Sequence, residues 1–144
     1  MKILSLLFLT IFLGKGCEAQ KKQDLETTTI EYVANTRGFY KKIFVQNKTI
    51  TVSKDRRGID KPVSTKISDA DWEKIVAEFQ KIDLEGISNL KAPSEKRFYD
   101  GAAIANLKIM YQDKTYESAS FDHGNAPSEI KKLVDKINAL VKEK

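Results

Sequence analysis

The sequence predicts an α+β fold: a four- to five-stranded antiparallel sheet in β-ββα-ββα order, packed by two amphipathic helices on one face. Three observations carry this. Residues 39–54 alternate as a hairpin whose two arms agree on which face is apolar. Two segments, Trp72 to Ile82 and Ile130 to Val141, repeat apolar residues at helical spacing. Finally, Ile43 to Ser53 (IFVQNKTITVS) matches Ile109 to Ala119 (IMYQDKTYESA) at four of eleven positions, and an amphipathic helix follows each stretch. Two ββα units, each with one face to bury, can join into one sheet covered by two helices.

The chain has 144 residues, 41% hydrophobic and 31% charged, which suits one globular domain. Its first nineteen residues read as an export signal. Lys2 precedes an apolar run from Ile3 to Leu13, far short of the ~20 residues that span a bilayer. Two processing outcomes stay open. Gly14-Lys15-Gly16-Cys17 resembles the lipobox of bacterial lipoproteins, with Gly14 where Leu is usual, and this implies a lipidated Cys17. Alternatively, Cys17-Glu18-Ala19 is a small-x-Ala site, and cleavage after Ala19 releases a secreted or periplasmic protein. Cys17 is the only cysteine, so the mature domain can hold no internal disulfide and no thiol nucleophile.

Residues 20–26 read as a polar tether, and residues 27–144 as a single domain. Thr27 to Asn35 is rich in β-branched residues and forms the first strand. In the hairpin at 39–54, a two-residue turn at Asn47-Lys48 sets Val45 opposite Ile50 and Ile43 opposite Val52, all on one face. Asp55 to Lys66 reads as a loop from its charge, Gly58 and Pro62. Ser68 is placed to cap a helix carrying Trp72, Ile75, Val76, Phe79 and Ile82, with Trp72 a core anchor. Ile87 to Glu95 is irregular. The second hairpin follows, with Leu107, Ile109 and Tyr111 inward and Asp113-Lys114 as its turn. That turn pairs Tyr111 with Tyr116, and Ile109 and Leu107 with Ser118 and Ser120. Pro127 starts the last helix, whose stripe is Ile130, Leu133, Val134, Ile137, Leu140 and Val141.

Two groups of residues could carry chemistry. His123 is the only histidine, which excludes a histidine-based metal triad. The hairpin brings Asp100 towards Asp122 and His123, so a carboxylate could orient the imidazole as a general base, or the three could hold a divalent metal in a small hydrolase. Ser118, Ser120 and Tyr99 are within conceivable reach as nucleophiles. In the simpler reading, Asp122 and Asn125 punctuate a turn and Arg97 pairs with an aspartate. No metal or cofactor is expected.

The second group is basic. Residues 36–66 hold nine Lys/Arg against two Asp/Glu, whereas residues 67–144 hold twelve against fourteen. Arg37, Lys41, Lys42, Arg56 and Arg57 lie in loops 37–42 and 54–57, with Phe39 and Tyr40 among them, as in an anion site. Nucleic acid is not an expected partner of an exported protein. Anionic lipid headgroups, envelope polysaccharide or an acidic protein surface are.

Arg97-Phe98-Tyr99-Asp100-Gly101 and Phe121-Asp122-His123-Gly124-Asn125, followed by the Pro127 helix, resemble small exported bacterial domains of unknown function. The likeness extends loosely to Thr36-Arg37-Gly38-Phe39. It implies a sheet-and-helix fold and a secreted or lipid-anchored life, and brings no activity with it. The expectation is a non-enzymatic envelope interaction domain.

Overall fold

In the computed structural model, residues 25–141 are described. The export signal, Cys17 and most of the tether lie outside them. The chain is α+β, with a seven-stranded antiparallel open sheet in place of the four or five strands expected. Helical residues 25–27 precede β1 (Thr29–Thr36), β2 (Phe39–Gln46), β3 (Thr49–Ser53) and β4 (Val63–Lys66). Helix α1 (Asp69–Gln80) follows, then two 3-10 turns at Ile87–Asn89 and Lys96–Tyr99. β5 (Ile104–Tyr111), β6 (Lys114–Glu117), β7 (Phe121–Asp122) and α2 (Ser128–Leu140) complete the chain. The sheet order is β4-β3-β2-β1-β5-β6, with β7 also on β5.

The first hairpin has the expected register, Val45 opposite Ile50 and Ile43 opposite Val52. Its turn residues Asn47 and Lys48 both have positive φ, at 45° and 57°. Such a turn twists in the same sense as the strands it joins. The second hairpin turns instead at Gln112-Asp113, with φ of 49° and 62°, so Ile109 faces Tyr116 and Leu107 neighbours Ser118. The slip is two residues, which preserves which side chains point inward. The matched stretches 43–53 and 109–119 therefore turn at different aligned positions.

Two further strands come from segments read as loop or connection. β4 has four exposed residues and no apolar alternation, and it is held to β3 by backbone pairing and by a hydrogen bond between the Thr51 and Ser64 hydroxyls at 2.9 Å. β7 is set off from β6 by a bulge: two residues of β5 separate Ala105 from Lys108, while three separate Glu117 from Phe121 across the ladder. The extra residue lets both Ser118 and Phe121 face the core. Ser118 N–H donates to the Leu107 carbonyl at 2.9 Å, and Leu107 N–H donates to the Ser118 hydroxyl at 3.0 Å. A side chain thus satisfies a buried backbone donor where the ladder is broken. Ser118→Ala is expected to cost about 1–3 kcal/mol by leaving that donor unpaired. An unchanged urea midpoint would contradict this.

One face of the sheet is dry. Ile30, Tyr32 and Ala34 of β1, Ile43 and Val45 of β2, and Ala105, Leu107 and Ile109 of β5 are buried with Trp72, Ile75, Val76 and Phe79 of α1 and Ile130, Leu133, Val134 and Ile137 of α2. Phe79 meets the Tyr111 ring edge-on at 5.7 Å. The helices also touch each other, and Lys136 of α2 donates to Asp71 of α1 at 2.6 Å. This contact and the Ser68 hydroxyl hold the Asp71 carboxyl below its ordinary pKa. The opposite face carries Glu31, Val33, Lys42, Phe44, Lys108 and Met110, and no helix among the described residues covers it.

Candidate functional site

Asp122 and His123 are successive residues of one extended segment, so their side chains leave it in opposite directions. This separates the constellation expected of them. Asp122 points away from the helices into a closed knot. It accepts from the Ser94 hydroxyl at 2.6 Å, Lys96 N–H at 2.9 Å, Arg97 N–H at 3.0 Å and Arg97 Nη1 at 3.1 Å. Arg97 in turn donates to the Ser120 hydroxyl and the Ser94 carbonyl, and Asn125 Nδ2 donates to the Ser94 hydroxyl. Both members of the Arg97–Asp122 pair are nearly inaccessible, with 7% and 2% of their side chains exposed. Burial pushes the Asp122 pKa up, but the donors of Ser94, Arg97 and Lys96 outweigh it and hold it down to about 2. A carboxylate so fully engaged is a structural clamp on the 3-10 turn, not a general base.

Asp100 joins neither residue. It is exposed in left-handed conformation (φ 59°) at the end of that 3-10 turn. Of the conceivable nucleophiles, Ser118 is committed to Leu107, Ser120 accepts from Arg97, and Tyr99 is 70% exposed. Among the described residues, no three His, Cys, Asp or Glu side chains are grouped to hold a metal ion.

His123 points towards the helices. Its backbone N–H donates to the Ala103 carbonyl, and Gly124 beside it has φ 87°, which makes the tight turn from Asp122 to Asn125 possible. Its Nδ1 is 2.6 Å from the Tyr32 hydroxyl, with the Phe39 ring 5.5 Å from the imidazole. Burial, and next the charge of Asp135, raise the Tyr32 pKa, although Asn138 acts against them. The phenol therefore keeps its proton, and a hydrogen bond joins its oxygen to Nδ1.

Beside this pair lies a pocket of about 270 Å3, lined by Lys41, His123, Gly124, Val134, Asp135, Asn138 and Val141. Lys41 is only 5% exposed. It shares the parity of Ile43 and Val45, so it faces the helices across from Ala34. This corrects its placement among the basic loops. Parity along β2 was the available signal, and the surrounding charge obscured it. Tyr32 and Asn138 lie far from His123 in sequence, and nothing local marks them as its neighbours.

The remaining basic residues gather at the other face. Tyr40, Lys42, Arg56 and Arg57 line a groove of about 490 Å3 with Phe44, Thr51 and Ser53, while Arg37 is exposed in the β1–β2 turn. Arg56 donates to the Thr36 carbonyl and stacks over Tyr40, with 5.9 Å to the ring centroid. Asp55 accepts from the N–H groups of Asp60, Arg57 and Ile59, which hold its pKa below the ordinary carboxylate range and fix the loop. Arg57 is 80% exposed on that fixed loop.

No protein-family model matches the chain, and no curated protein is significantly similar to it. No helix among the described residues is long and apolar enough to cross a membrane.

Proposed function

We propose that the protein is an exported, non-enzymatic interaction domain of a bacterial envelope, meeting an anionic surface through the groove around Tyr40, Lys42, Arg56 and Arg57. It is held there by a lipidated Cys17, or released by cleavage after Ala19. The observation that carries this reading is the groove itself: Arg56 and Arg57 on a loop pinned from within by Asp55, beside Tyr40 and Lys42 of β2, at a sheet face no described helix covers. Preorganised cations bind anions without the ordering cost a floppy basic tail would meet. The engagement of Asp122 by Arg97 and of His123 by Tyr32 favours binding over acid–base chemistry. The resemblance to small exported domains supports the location.

Arg57→Glu tests the reading. Reversing one exposed charge should weaken retention on immobilised heparin and on anionic phospholipid vesicles roughly two- to five-fold at physiological salt. Loss on vesicles alone would identify the surface as lipid, and loss on heparin alone as polysaccharide. Unchanged retention on both would remove the groove from consideration.

A further inference from the structure

We propose that the anionic surface met by this protein is a phospholipid bilayer, and that the loop between β3 and β4 enters its headgroup region with Ile59 foremost. The inference rests on the binding role of the groove and adds to it a lipid and an inserted side chain.

Ile59 is 69% exposed on that loop, between Gly58 and Asp60. A single apolar side chain in water is ordinary, but the backbone that carries this one is not. Four successive N–H groups turn inward onto Asp55. Those of Arg57, Ile59 and Asp60 donate to its carboxylate at 2.9, 2.7 and 2.9 Å, and that of Gly58 donates to its carbonyl at 3.2 Å. Gly58 allows the turn with φ of 70°. Exposed loops ordinarily leave such donors to water, and taking them into lipid is then costly. Here they are satisfied before any contact is made, so the tip can leave water without stranding them. A hydrated polysaccharide makes no use of this property, nor of Ile59.

The charge around the tip suits lipid phosphates. Residues 54–61 hold Lys54, Arg56, Arg57 and Lys61 against Asp55 and Asp60. The Asp55 side chain is turned inward with 11% exposed, so Asp60 is the one carboxylate of this stretch that faces solvent. Arg57 Nε lies 3.8 Å from Asp55, yet 80% of that arginine side chain is open to an outside partner. Arg56 donates to the Thr36 carbonyl and so ties the loop to the neighbouring β1–β2 turn. An apolar tip flanked by cations on a fixed backbone matches a bilayer interface, where acyl chains lie just beneath a layer of phosphates.

The test uses the protein cleaved after Ala19, which keeps every described residue and carries no acyl chain. Ile59→Ser should weaken binding to mixed phosphatidylglycerol and phosphatidylcholine vesicles at least five-fold, while retention on heparin stays unchanged. Phe98→Ser, at an equally exposed site outside the loop, should change neither. Ile59→Trp should shift its emission to the blue when the vesicles are added, because Trp72 is buried in the core and does not report on the surface. Unchanged vesicle binding by Ile59→Ser overturns the inference, as does an equal loss on heparin or with Phe98→Ser. An unmoved emission from Ile59→Trp overturns it too. The groove is judged separately by Arg57→Glu. If that variant loses retention and Ile59→Ser does not, the groove stands and the insertion falls; if Arg57→Glu changes nothing on either support, both fall.

Discussion

Asp122→Ala should lower stability by about 3–5 kcal/mol, the usual cost of removing one partner from a buried ion pair. The loss exceeds one interaction because Asp122 is the common acceptor for four donors. Without it, Arg97 keeps its charge with 7% of its side chain exposed, and the Ser94 hydroxyl and two backbone N–H groups lose their acceptor. For a domain whose whole stability is about 5–15 kcal/mol, the change is large. Chemical denaturation of the variant at neutral pH measures it, and a loss under 1 kcal/mol would mean the knot relaxes onto water. The unaltered protein should show the same knot through pH. The folded-state pKa lies below the ordinary 3.8, at about 2. The contribution of Asp122 is therefore complete above about pH 4 and fades as the pH falls towards 2. The acid-unfolding curve of Asp122→Asn, which cannot titrate there, should be flatter across that window.

Phe121→Ala should cost about 3–5 kcal/mol, the range for truncating a buried aromatic. Phe121 is fully buried, with its ring centroid 6.2 Å from that of Tyr32. The cavity would open beside the row that supports the Tyr32–His123 pair, and β7 has only two paired residues with which to resist collapse. A fall of about 10–20 °C in melting temperature is expected. A shift under 5 °C would show that α2 closes over the gap.

Much of the fold is legible in the sequence because two strong periodicities write it there. The Ile43/Val45 and Ile50/Val52 alternation admits one register, and the α2 stripe admits one face. The helix cap at Ser68, bonded to Asp71 N–H, is equally local. β4 was illegible because Val63-Ser64-Thr65-Lys66 buries no side chain, so only its pairing with β3 defines it. The second hairpin offered Gln112-Asp113 and Asp113-Lys114 as competing turns, with inward residues that do not discriminate between slips of two.

The site was less legible, since its contacts are long-range. Asp122 meets donors 25 to 28 residues away, and His123 meets Tyr32 at a separation of 91. The single fact that separates Asp122 from His123 was nevertheless local. Adjacent strand residues face opposite ways, and a carboxylate beside an imidazole in sequence is there a reason against their cooperation.

The place of β1 in the sheet governs the order of assembly. One of its edges pairs with β2 across a turn of two residues, whereas the other waits for β5, where Thr29 meets Met110. A meander of β1 to β4 can form while the chain is still incomplete, but β1, its end strand, then has an unpaired edge until residue 111 has arrived. Closing so long a loop is slow compared with hairpin formation. During that interval β1 offers Thr29-Ile30-Glu31-Tyr32-Val33 to any other strand. A chain halted before β5 should therefore pair with its neighbours, and the completed protein escapes this because its last third supplies the missing strand.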